Sequence, residues 1–301
     1  MVLFQIRAVF VRAFLAVVVF SAFFPELCVA QEVIPGNFAA IRKAHSDVLT
    51  VWSYTENPDI LVFDFPNLTQ QGRTFNRVTQ LAEQQFSEPY PHVLSNDVLA
   101  KYIEALRRTQ ADFAFGHDVL VHELVQFFNL ADRDKVVLNP EEVVLRDLLL
   151  SQGLIRNWRG FYQALKPNMV VISVPQSQER RDNEPRITEG ARYAILLHEM
   201  AHGEYYTNAY YSAYCQKFWA ETLTAPQRDA WKAFLAKYNY SVVFDELLIN
   251  EMQAYLMFTP DPASFNAKKL GLSDADIYSM REAFRKGKPP TKLPLRWTAG
   301  E

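Results

Sequence analysis

Two histidines stand four positions apart in His198-Glu199-Met200-Ala201-His202, at the end of the apolar run Tyr193-Ala194-Ile195-Leu196-Leu197. No other feature constrains the fold of this chain as tightly. At roughly 100° per residue, side chains at i and i+4 lie within about 40° of each other on a helix, and Glu199 follows on the adjoining edge. Ala191 and Ile195 share the histidine side, while Tyr193, Leu197 and Met200 cover the opposite side, so the helix is apolar nearly all round and must be buried. Two imidazoles and a carboxylate inside such a helix need partners, because unpaired buried polar groups cost free energy. One metal ion held by both histidines satisfies them together, and zinc suits that spacing.

A third protein ligand has to come from elsewhere in the chain. The extended pattern His-Glu-x-x-His-x-x-Gly-x-x-His would need a glycine three residues after His202 and a histidine six after it. Tyr205 and Asn208 occupy those places. The segment 244–258 reads as a helix, stopped by Thr259-Pro260. On its wheel Glu246, Asn250 and Gln253 gather on one side, as on an ordinary solvated or hydrogen-bonding face. Glu251 sits almost opposite, among Leu247, Leu248, Ala254, Tyr255 and Phe258, where a buried anionic ligand would sit.

These residues resemble the gluzincin branch of zinc metallopeptidases, in which a Glu on a later helix completes the two histidines of His-Glu-x-x-His. The resemblance covers roughly residues 168 to 258. It implies that His198, His202 and Glu251 hold zinc, that Glu199 is the general base, and that the fold is an α-rich, zincin-like α+β fold with a small sheet beside the metal helix. The chain departs from the pattern in two ways. Glu251 follows His202 by 49 positions, more than in thermolysin-like enzymes, and Tyr255 stands where an Asp often supports the histidines. Their support is left unassigned.

Upstream, Asn168 to Val174 is β-branched and apolar and predicts a strand closed by Pro175. In zincins such a strand forms the cleft edge and pairs with extended peptide. The polar stretch 176–186 reads as a solvated surface loop. Gly203 is placed to end the metal helix, and Tyr205, Tyr206, Tyr210, Tyr211 and Tyr214 follow. Any of these could donate to an oxyanion, although each is better explained as a packing group with a polar tip. Thr224-Ala225-Pro226 opens a further helix through Ala236 that spaces the two metal-binding segments.

Residues 1–30 carry Arg7 and Arg12 before an apolar core, 13–24, and small residues near Ala30, the pattern of a cleavable secretory signal. The expected compartment is the periplasm or the extracellular space. The apolar run is short for a membrane span, so no stable membrane insertion is expected after cleavage, a retained anchor being the alternative. Removing this segment, with its two Arg and one Glu, takes the net charge from −3 to about −4, a balance without the basic excess of nucleic-acid binders. Only Cys215 then remains, which leaves no intrachain disulfide. The 49% apolar composition must supply the core instead.

Residues 31–165 form an N-terminal lobe without comparable chemistry, divided softly from a catalytic region at 166–287. A strand is predicted at 60–65, helices near 69–85, 96–109, 117–130 and 140–152, and a small hairpin from Leu154 to Ala164. His117, Asp118, His122 and Glu123 invite a second metal reading, but on a helix His117 and His122 would point about 140° apart, so packing or capping roles are expected. Ser273-Asp274-Ala275-Asp276 opens a last helix, and residues 288–301 read as a basic, Pro-rich and mobile tail. The expected activity is zinc-dependent cleavage of a peptide or protein substrate, with a non-catalytic, zinc-containing peptide-binding protein as the alternative.

Overall fold

The computed structural model describes residues 32–84, 91–181, 183–238 and 240–293. The signal segment at 1–30 and the tail beyond 293 lie outside them. The fold is mixed α+β. Five strands make the main sheet: β1 (Val33–Gly36), β2 (Thr50–Tyr54), β3 (Ile60–Phe65), β4 (His117–Leu120) and, after the separate hairpin β5 (Ile155–Trp158) and β6 (Phe161–Ala164), β7 (Val170–Pro175). Their order is β1-β2-β3-β7-β4. β3 and β7 are parallel, and both are buried at every position, as expected of unbroken apolar runs covered on two faces.

Strand alternation divides the core into two layers. Ile60, Val62, Val170, Ile172 and Val174 face one cluster, and Leu61, Phe63, Phe65 and Val171 face the other. The second layer belongs to α2 (Leu68–Gln84), α4 (Val121–Asp134) and α5 (Pro140–Ser151), α1 (Phe38–Lys43) and α3 (Asn96–Ala105) being shorter helices nearby in sequence. The first belongs to α6 (Glu189–Thr207), α7 (Ala209–Lys217), a π-helical turn at Phe218–Thr222, α8 (Ala225–Ala236), α9 (Asp245–Phe258), α10 (Ala267–Leu270) and α11 (Asp274–Gly287). Strands from before and after residue 165 thus share one sheet. A buried ion pair anchors the start of α6 to that sheet: both guanidinium nitrogens of Arg192 reach the Asp64 carboxylate on β3, at 2.7 and 2.8 Å.

Four expectations need correction. β7 is interior to the sheet, and the edge is β4, antiparallel to it; the residues predicted to start a helix at 117 form that strand, and the helix begins at Val121. Gly203 does not end α6, which runs on to Thr207. Its lack of a side chain serves packing instead, since a Cβ there would lie 2.7 Å from Ile60 Cδ1. Asn250 and Gln253 are buried and hydrogen-bonded, so of the two expectations for their side of α9 the hydrogen-bonding one holds. The tail is docked as far as Leu293, which is buried, and Tyr54 Oη donates to the Lys292 carbonyl at 2.7 Å.

Candidate metal centre

α6 and α9 pack directly against each other on the sheet, and the packing brings together the residues that sequence reasoning singled out. α6 is capped by Thr188, whose hydroxyl accepts from the Ala191 amide. Its third and fourth turns present His198 and His202 toward α9, where the carboxylate of Glu251 meets them. The two Nε2 atoms are 3.1 Å apart. Glu251 Oε2 lies 3.7 Å from His198 Nε2, and Glu251 Oε1 lies 3.7 Å from His202 Nε2.

Hydrogen bonds on the far side of each ring fix its tautomer. Thr259 donates its hydroxyl proton to the Ala254 carbonyl, 3.0 Å away, and so accepts from His198 Nδ1 at 2.8 Å. Asn250 Oδ1 accepts from Gln253 Nε2 at 3.1 Å and from His202 Nδ1 at 2.9 Å, while Gln253 Oε1 accepts from Tyr211 Oη at 2.7 Å. Both Nδ1 atoms therefore carry protons, and both Nε2 lone pairs converge on one point. Two converging lone pairs repel unless a cation, either a proton shared across the 3.1 Å gap or a metal ion, stands between them.

The electrostatics show the same demand for positive charge. Burial opposes a charge on His202, yet Asp118, Glu251 and Glu199 outweigh it and push its pKa up to about 9. Burial pulls His198 down. It also raises Glu251, but His202 and His198 overcome that effect and hold the group below the usual carboxylate value. Glu251 Oε2 is nevertheless buried with no hydrogen-bond partner, an expensive state that coordination would relieve. Two imidazole nitrogens and a carboxylate oxygen are a donor set that suits zinc.

Glu199 lies beside this set and outside it. Burial, reinforced by Asp118 and Glu251, raises its pKa well above the ordinary value. Asp118, on the edge strand, is one of the four residues that invite a second metal reading in the sequence, where a helical reading of the segment assigns it only a packing or capping role. On a strand the alternation sends His117 to one face and Asp118 to the other, toward α6. Asp118, Glu199 and His202 form a second set that could hold a metal ion. The two sets share His202, whose Nδ1 is engaged by Asn250, so its one free nitrogen can serve only one of them at a time. Of the four residues of the second metal reading, His117, Asp118, His122 and Glu123, only Asp118 belongs to such a set; His117 is 2.7 Å from Ser173 Oγ and 3.2 Å from Asn76 Oδ1, His122 Nδ1 is 3.1 Å from the Pro167 carbonyl, and Glu123 accepts from the Leu120 amide as a helix cap.

The site opens on a cleft of about 1460 Å³. Gly116, Asp118 and Leu120 bring the free edge of β4 to it, and Tyr206 and Tyr240 line it near His198, His202 and Glu251. Burial and the nearby carboxylates keep both phenols protonated, so each is a hydroxyl donor. Of the tyrosines following the motif, only Tyr206 lines the cleft; Tyr205 and Tyr211 are core residues, and Tyr210 is exposed. No helix among the described residues is long and apolar enough to cross a membrane. No family model, no curated protein and no solved structure matches this chain.

Proposed function

We propose that this protein is an exported, zinc-dependent hydrolase that cleaves peptide bonds, with a zincin-like arrangement of sheet, metal helix and ligand helix. One observation carries the reading: His198 Nε2, His202 Nε2 and Glu251 converge on a single point at the floor of a large cleft, with a fourth polar group, Glu199, beside them. When bound there, zinc supplies Lewis acidity and lowers the pKa of water. Glu199 takes the proton of the attacking water and passes it to the departing nitrogen. Its buried setting favours both halves of that transfer, because a raised pKa makes the carboxylate a stronger base and the acid form easy to reach. Tyr206 and Tyr240 supply hydroxyl donors for the oxyanion. The free edge of β4, rather than β7, receives extended substrate as an added strand.

The test is metal analysis of residues 31–301 together with two variants. About one zinc per chain is expected in the parent, with loss of the ion in Glu251→Ala. Glu199→Gln should keep the ion while losing most cleavage of a mixed fluorogenic peptide substrate. Unchanged metal content in Glu251→Ala would refute the ligand set. Equal turnover by parent and Glu199→Gln would favour a zinc-containing peptide-binding protein without catalysis.

A further inference from the structure

The β5–β6 hairpin forms its own two-stranded sheet, apart from the five-stranded one. Its tip is the two-residue turn Arg159-Gly160, both with positive φ (52° and 88°), the geometry that matches the twist of a tight hairpin. Trp158 pairs directly with Phe161 across the turn, and Arg156 pairs with Gln163. In an antiparallel ribbon opposite residues share a face. The inner face is settled by Tyr162, whose ring packs on Phe128 and whose backbone is bonded to Asn129 in both directions. Trp158 and Phe161 accordingly project outward, 54% and 67% exposed. The guanidinium groups of Arg156 and Arg159 lie 5.8 and 5.4 Å from the Trp158 ring centre.

Two features set this ribbon apart from the rest of the surface. From Gly153 to Lys166 the chain has three cations and no acidic residue, in a protein whose net charge is −3. The acidic residues of α5, the nearest helix in sequence, are each paired with an arginine: Asp147 with Arg146 at 2.8 Å, Glu141 with Arg73 at 3.4 Å, and Glu142 with Arg77. The apolar area is also small. Two aromatic rings fall far short of the roughly 800 Å² per partner that a stable protein interface needs, whereas a lipid surface requires only a few side chains inserted at the headgroup level. Aromatic rings with an apolar body flanked by arginines suit that boundary: the rings enter the interfacial region, and the guanidinium groups meet phosphates.

We propose that the Trp158–Phe161 hairpin tip is an interfacial anchor that docks this protein reversibly on an anionic lipid surface. Attachment of this kind requires no spanning segment and places the rest of the fold next to the bilayer.

Residues 31–301, a compact unit in themselves, should be sedimented with vesicles of phosphatidylcholine alone and of phosphatidylcholine mixed with phosphatidylglycerol, at low and high salt. Sedimentation is expected with the anionic vesicles only, and it should weaken as salt screens the arginines. Each of Arg156→Gln and Arg159→Gln should reduce partitioning about fivefold, and Trp158→Ser with Phe161→Ser about tenfold or more. The arginine variants remove only exposed contacts, Arg156 Nε to Gln163 Oε1 and the two guanidinium groups over Trp158, so they keep the test valid should the aromatic variant unfold. Absence of sedimentation with anionic vesicles at low salt would overturn the proposal, as would equal sedimentation with neutral ones. Heparin binding that tracks the arginines, combined with vesicle binding indifferent to the aromatic residues, would identify a polyanion site and also overturn it.

Discussion

Asn250 Oδ1 lies 2.9 Å from Nδ1 of His202, one residue before Glu251 on the same helix. α9 thus provides both the third candidate ligand and the group that orients the second. Because successive helical residues differ by about 100°, a single turn can send Glu251 into the cleft and Asn250 behind the imidazole. Gln253 holds Asn250 in turn, and Tyr211 holds Gln253. The chain of acceptors extends into the core of the α6–α9 layer.

If this chain of contacts sets the tautomer, Asn250→Ala should lower metal affinity about 10- to 100-fold while leaving the bound stoichiometry unchanged at saturating zinc. Asn250→Asp, which keeps an acceptor at the same place, should recover most of the loss. Competition with a chromogenic chelator measures both. Equal affinity for parent and Asn250→Ala would show that the ring needs no such support.

Gly116, immediately before β4, makes the second close approach. A Cβ at this position would lie 2.5 Å from Cδ of Glu199, which leaves no room for any side chain while Glu199 keeps its place. Gly116→Ala should therefore displace Glu199 and lower kcat roughly 100-fold, as ångström-scale misplacement of a reacting group does. Zinc content and KM should stay close to the parent values. A fall in KM-normalised turnover that came only from lost metal would point to general distortion instead.

The candidate metal-binding face is legible in the sequence for a physical reason. A buried helix tolerates few polar side chains, so His198, Glu199 and His202 stand out against their surroundings, and Glu251 does the same on α9. Long elements with strong periodicity or end signals, such as α5 after Asn139-Pro140 and α8 after Thr224, lie where those signals put them. The meeting of Asp118 with Glu199 and His202 was not legible, because a four-residue strand running straight into a helix shows too little alternation to be told from a first helical turn. Asn250 was hidden because a wheel reports which residues share a side and not which neighbour covers it. Thr259 reads as a helix stop, and only the fold places its hydroxyl against His198.

His117 supports a prediction independent of the metal. It is buried on the face of β4 opposite Asp118, stacked on Phe75, with Asn76 and Ser173 as hydrogen-bond partners. Burial pushes its pKa down to about 3 from 6.5. Above pH 6.5 the imidazole is neutral in folded and unfolded chains alike and contributes no pH dependence. Below 6.5 the unfolded chain takes up a proton that the folded one refuses, so stability falls as pH falls from 6.5 toward 3, by up to about 1.4 kcal/mol per pH unit. His117→Gln should be less stable than the parent at pH 7.5, because it disturbs the contacts with Asn76 and Ser173. It lacks this proton linkage, however, and its urea midpoint should approach that of the parent by about 2 to 3 kcal/mol in equivalent stability between pH 6.5 and 4.5. Other acidic groups titrate in both proteins and cancel in the difference. Parallel midpoint curves across that range would mean that His117 is protonated as readily in the fold as outside it.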